Sequence, residues 1–143
     1  MNLWGGPRTL ADGDDATFPW ADVSDHTGIC YLRSQIGPAE IRDGLTHTYL
    51  LGEKYLSAAD YGNGLSHGDD WSMYTGYQDG ICRCGYRPAT PDSIFVPDNC
   101  RFGAAHPTVW NAAFCDGRVR GLSFDIDPAI HRLLANRADQ KPI

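Results

Sequence analysis

The sequence predicts an α+β fold: an antiparallel β-sheet with a few short helices and long ordered loops. Three observations carry that prediction. Asp116-Gly117 separates two extended runs, Thr108–Cys115 and Arg118–Phe124, which is a strong hairpin signal. A capped helical stripe begins at Asp127. Residues 57–100 hold many Gly, Pro and Asp residues and four Tyr, the composition of a long loop with one or two short strands.

In chain order, residues 1–28 read as irregular, with turn formers at Gly5-Gly6-Pro7 and Asp12-Gly13-Asp14-Asp15. Trp4, Phe18 and Trp20 are expected to pin this segment onto the body. Alternation over Ile29–Ile36 predicts a short strand. Pro38–Arg42 suits one helical turn with proline at its first position, ended by Asp43-Gly44. Thr46–Tyr55, rich in Thr, Tyr and Leu, predicts a strand. In the hairpin, Trp110, Ala112 and Phe114 share one face, and Val119 lies opposite Arg118 and Arg120, so one face is apolar and buried. A type I′ turn at Asp116-Gly117 needs positive φ at both residues. In the last helix Asp127 caps, Pro128 occupies the first turn, and Ile130, Leu133 and Leu134 form the stripe. Arg132 and Arg137 favour its C-terminal half, and the residues after 138 fray.

The chain has 143 residues, enough for one domain, 1–143, with a real core. Its 42% hydrophobic and 21% charged residues are those of a folded globular protein. Net charge is −6 and the isoelectric point about 5.1, which excludes the basic footprint of nucleic-acid binding and disfavours anionic lipid. No apolar stretch is long enough to span a bilayer, and Met1-Asn2-Leu3-Trp4-Gly5-Gly6 lacks the features of a signal peptide. The chain therefore reads as starting partway through a longer protein. Five cysteines (Cys30, Cys82, Cys84, Cys100 and Cys115) leave at least one outside any internal pair, and an oxidising compartment suits so many in a loop-rich chain.

Several constellations could carry chemistry. Cys82, Cys84, Cys100 and His106 form a possible Cys₃His zinc set, but C-x-C is not the usual knuckle spacing. A disulfide of Cys82 or Cys84 with Cys100 is the stronger reading, since C-x-C residues do not readily bond each other. Asp12, Asp14 and Asp15, and separately Asp69, Asp70 and Asp79, are carboxylate clusters in glycine-rich loops. Solvated loop carboxylates are their default; calcium at Asp69, Asp70 and Asp79 is the cofactor they could take. His106 and Asp116 would lie about 30 Å apart along one straight strand, which makes them structural residues and not a metal pair. Ser66, His67 and Asp69 are neighbours without a nucleophile elbow. Glu53, Asp60, Asp69 and Asp70 have no fixed separation that would make a glycosidase pair. Gly62-x-Gly64 lacks the rest of a nucleotide fingerprint. Trp71, beside Tyr74 and Tyr77, is the aromatic group to consider for stacked sugar or ligand binding.

Two segments carry a resemblance to a known family. Ile41-Arg42-Asp43-Gly44-Leu45-Thr46-His47-Thr48, continuing through Gly52-Glu53-Lys54, is similar to a characteristic segment of the prepilin-like proteins best known from planctomycete bacteria. Phe102–His106 through Asn111 to Asp116-Gly117 resembles that family's second signature: a His, nine residues, then Asp-Gly. The tail Ile126-Asp127-Pro128 with His131-Arg132 is similar to the next segment of those proteins. Thr46-His47-Thr48 departs from the family's usual Ser-Asn-Thr. The resemblance implies a pilin-like head domain whose N-terminal membrane helix is absent from this chain. It makes Asp43, Gly44, Gly52, Glu53, His106, Asn111, Asp116 and Gly117 signature residues of structural kind. It implies a non-enzymatic pilin or pseudopilin subunit of the type II secretion kind in the periplasm, at the cell surface or secreted. Its partners would be itself or other pilin-like subunits, not nucleic acid, and it would meet the membrane only through the missing helix. The rival expectations are a carbohydrate or ligand-binding module and a metal-dependent hydrolase.

Overall fold

A computed structural model describes residues 6–72, 74, 76–94 and 98–141. Its elements in order are helix α1 (Leu10–Asp14), 3-10 turns at Pro38–Glu40 and Leu45–His47, strand β1 (Tyr49–Gly52), a 3-10 turn at Ala58–Asp60, β2 (Thr90–Pro91), β3 (Gly103–Ala104), β4 (Val109–Phe114), β5 (Val119–Ser123) and helix α2 (Pro128–Leu134). The architecture is α+β. A three-stranded antiparallel sheet runs in the order β1-β4-β5, and β2 pairs with β3 in a two-residue parallel ladder.

β4 is the central strand because it alone alternates a fully apolar face with neighbours on both sides. Trp110, Ala112 and Phe114 are buried on the inner face, as their spacing requires. Tyr49 meets Phe102, Trp110, Phe114 and His131 at ring-centroid separations of 5.3–5.8 Å, mostly edge-on. That geometry sets positive ring edges against negative ring faces. Gly52 lets this cluster close: a Cβ there would stand 2.7–2.8 Å from ring atoms of Phe102 and Trp110. α2 covers the cluster with His131 and Leu134. The His131 ring is fully buried, its Nδ1 lies 3.3 Å from the Tyr49 hydroxyl, and burial pushes its pKa down.

The hairpin forms where expected, with a different turn. The Gly117 N–H donates to the Phe114 carbonyl (2.9 Å), and the Phe114 N–H donates to that of Arg118 (2.8 Å). Only Gly117 has positive φ (85°), so Cys115-Asp116 form a type I turn closed by a left-handed glycine, not a type I′ turn. Asp116 keeps its ordinary backbone and accepts the Arg118 N–H (3.0 Å). Register then decides the faces of β5. Arg120 pairs with Ala112 and Leu122 with Trp110, which places both on the inner side, and Arg120 lies over the Phe114 ring at 5.4 Å. Val119 pairs with Ala113 on the opposite, outer side.

Ile29–Ile36 is not a strand. The Ser34 N–H donates to the Tyr31 carbonyl (2.9 Å) and Arg33 takes φ 60°, so the segment turns instead of extending along a partner. Arg137 holds it in place, donating from Nη1 to the carbonyls of His26 (2.9 Å) and Gly28 (2.7 Å), with its guanidinium over the Tyr31 ring. Residues 10–14, expected to be irregular, form α1 through a capping box between Thr9 and Asp12. Phe18 and Trp20 pack edge to face (4.9 Å), with Arg33 over Trp20; Trp4 lies outside the described residues.

Candidate functional site

The end of β1 is where separated parts of the sequence converge. Glu53 comes after the inward Gly52 and so points to the outer side of the sheet. Its carboxylate accepts the Asn111 backbone N–H (2.6 Å) and the Asn111 amide (3.2 Å), and lies 3.6 Å from His106 Nε2. Its backbone ties β4 to the 102–104 segment: the Glu53 N–H donates to Asn111 (3.0 Å) and its carbonyl accepts from Gly103 (3.0 Å). Lys54 continues the clamp in the other direction. Its Nζ donates to the carbonyls of Gly68 (2.9 Å) and Gly80 (3.1 Å) and pairs with Asp69. Gly52, Glu53 and Lys54 thus fasten the aromatic core, the outer sheet face and the long loop within three consecutive residues.

Beside this clamp opens a cavity of about 460 Å³ lined by Glu53, Lys54, Leu56, Tyr61, Asp92 and His106, among others. Tyr61 donates to Asp92 (2.5 Å), and that bond raises its pKa to about 12. Asp92 also accepts the Leu56 N–H (3.0 Å). Each carboxylate here is already engaged by a neighbour of the same chain. The arrangement holds loops together and leaves a shallow, open cleft between them, its wall mostly apolar with Gly52, Ala104 and Ala105 beside the polar groups.

The other residues singled out in the sequence lie apart from this clamp. Asp43 accepts the N–H groups of Asp139 (2.9 Å) and Gln140 (2.7 Å), and Gly44 leads into the Leu45–His47 turn, so this pair anchors the C-terminal segment. Asp116 and Gly117 build the hairpin turn, where the Asp116 N–H also donates to Leu45 (3.1 Å). Asp69, Asp70 and Asp79 are drawn to different partners: Lys54, His67 (4.0 Å) and the Asn99 amide (2.5 Å). Among the described residues, no group of three or more His, Cys, Asp or Glu stands where it could hold a metal ion. Ser66 is buried, and its hydroxyl accepts the Ser57 N–H (3.1 Å).

Of the cysteines, Cys84 is the one that bonds Cys100. That bond removes two thiolates from the Cys₃His zinc set, which is not assembled. Cys82 faces Cys30 instead, at an Sγ–Sγ distance of 3.5 Å, and the Cys115 thiol points to the Tyr49 carbonyl (3.6 Å). Trp71 is 63% and Tyr74 89% exposed, whereas Tyr77 is half-buried against the His26 ring (6.1 Å). The three aromatic residues do not share one environment.

Sequence reasoning missed the groups that organise the loop. Arg83 donates to the carbonyls of Cys82 (2.8 Å), Asn99 (3.2 Å) and Gly68 (3.0 Å) and to that of Asp79, supplying donors that a sheet would otherwise provide. Asp98 is buried and accepts from Arg87 (2.6 Å), Arg101 Nε (2.7 Å) and the Cys100 N–H (2.8 Å). Burial alone would raise its pKa; those hydrogen bonds outweigh it and hold the carboxyl at about 2. The three-residue Asp98–Arg101 spacing was the available signal.

Residues 5–129 match the profile of the family described as Protein of unknown function (DUF1559). The chain belongs to that family. The DUF1559 match takes in the sheet, the clamp at Gly52-Glu53-Lys54, the disulfide and the start of α2. No curated protein and no solved structure matches the chain. The Cys84–Cys100 disulfide is of a kind that persists in oxidising compartments outside the cytoplasm. No helix among the described residues is long and apolar enough to cross a membrane.

Proposed function

We propose that this chain is the head module of a pilin-like structural subunit, non-enzymatic, placed in the periplasm or at the cell surface and working by contact with further copies of itself or related subunits. One observation carries the reading. The inner face of the sheet is filled by the aromatic core, while its outer face presents an aliphatic row: Leu51 and Val119, each paired with Ala113, are 67% and 68% exposed. Leu50, at the irregularity in β1, adds to the same edge. The polar residues at one end of this face, Glu53 and Asn111, bond each other, and the aliphatic row beside them, bordered by the edge strand β5, is the surface offered for contact. The resemblance to prepilin-like proteins supports the same reading.

Sedimentation velocity over a range of concentrations tests it. Association that weakens in Leu51→Glu and in Val119→Glu, with thermal stability unchanged, is the expected result. A wild-type chain that stays monomeric at all concentrations and recruits no pilin-like subunit overturns it. The exposure of Trp71 and Tyr74 favours a second reading, a carbohydrate-binding surface, for which a glycan screen of wild type against Trp71→Ala is decisive.

A further inference from the structure

Cys30 and Cys82 stand apart from the other cysteines. Cys30 belongs to the turn-rich segment that Arg137 and the His26–Tyr77 ring contact hold against the body. Cys82 sits at the end of the long loop, two residues before the Cys84–Cys100 bond, and its N–H is fixed to the Gln78 carbonyl (2.9 Å). Their sulfurs are 3.5 Å apart, and Cys30 is exposed. Two thiols from segments 52 positions apart in sequence therefore already share a hydrogen bond at the surface.

We propose that Cys30 and Cys82 are a dithiol site that reacts with small-molecule or protein disulfides and closes into a second cross-link, locking the 26–34 segment onto the disulfide-bearing loop. The step balances as thiol–disulfide exchange. The Cys30 thiolate attacks one sulfur of the oxidant disulfide, forming a mixed disulfide and expelling a thiolate. Cys82 then gives up its proton to solvent and attacks the Cys30 sulfur, expelling the second thiolate. The protein loses two electrons and two protons, and the oxidant leaves as two thiols. Position and charge set the order of attack: Cys30 is the exposed sulfur, and the hydrogen bond from Cys82 lowers its pKa to about 6 while that of Cys82 is raised. Arg83 and Tyr77 are the other titratable groups facing the pair. The dithiol chemistry is independent of the assembly role and stands whether or not the chain self-associates.

The test uses the purified chain with Cys84–Cys100 intact, oxidised glutathione as the probe, and intact mass, peptide mapping and thermal melting as readouts. The wild type should carry a Cys30–Cys82 link, on purification or after the probe, with no retained glutathione and a melting temperature higher by about 10 °C. Cys82→Ala should keep glutathione on Cys30 and gain no thermal stability. In a separate measurement, alkylation of Cys30 should be half-maximal near pH 6 in the reduced wild type and shift up to the ordinary cysteine range in Cys82→Ala. Glutathione persisting on Cys30 of the folded wild type, a link to Cys115, or thiols that do not react would each overturn the proposal.

Discussion

Gly52→Ala is the sharpest test of how the core and the candidate site are joined. The added Cβ would stand 2.7 and 2.8 Å from two carbons of Phe102 and 2.8 Å from one of Trp110. Carbon atoms rest at about 3.5–4.0 Å, so the rings must retreat by roughly 1 Å. They have little room: Phe102 stacks on Trp110 with centroids 5.0 Å apart, and both meet Tyr49 and His131. Overpacking of this kind costs about 1–3 kcal/mol. The stiffer unfolded chain returns about 0.4–1 kcal/mol of that. Central values leave a net loss of about 1.3 kcal/mol, which lowers the melting temperature of a chain this size by about 4 °C. Calorimetry and urea unfolding measure it, with Gly62→Ala as control, because a Cβ there meets nothing within 4 Å. Phe102→Leu should relieve the clash, so the double variant should lose less than the sum of the singles by at least about 0.5 kcal/mol. Wild-type stability in Gly52→Ala, or strict additivity with Phe102→Leu, would refute the packing argument.

Asp98 should govern acid stability. Its folded-state pKa of about 2 lies below the unfolded value near 4, so its contribution is complete above about pH 4 and is lost as pH falls toward 2. That contribution is up to about 2 kcal/mol, and Asp98→Asn should flatten the urea midpoint across this window. His131 works in a higher range. Its lowered pKa keeps the buried ring neutral, so stability should decline as pH drops below about 6.5, and His131→Phe should remove that part of the decline. Opening the 16-residue separation closed by Cys84–Cys100, through the paired serine variant, should cost about 3 kcal/mol in denaturant unfolding. A midpoint unchanged by that double substitution would show the loop to be held by its hydrogen bonds and ion pairs, those of Lys54, Arg83 and Asp98 among them.

Elements with local signals were legible in the residues themselves. Alternation over Thr108–Cys115 located β4, Asp116-Gly117 located the hairpin, and Asp127-Pro128 capped α2, because period, turn chemistry and caps act within a few residues. The same local logic misread Ile29–Ile36, since a strand exists only where a neighbour pairs with it and this segment is held by Arg137 instead. It also could not choose between Cys82 and Cys84, which are two residues apart and face different partners. Long-range folding was needed to bring Glu53 to Asn111 and His106, to set Lys54 and Arg83 on the same Gly68 carbonyl, and to place Leu51 and Val119 on the open side of the sheet. Each of these depends on register and loop closure between distant residues, and the energy that fixes them, burial of one aromatic cluster, belongs to the assembled chain and to no segment of it.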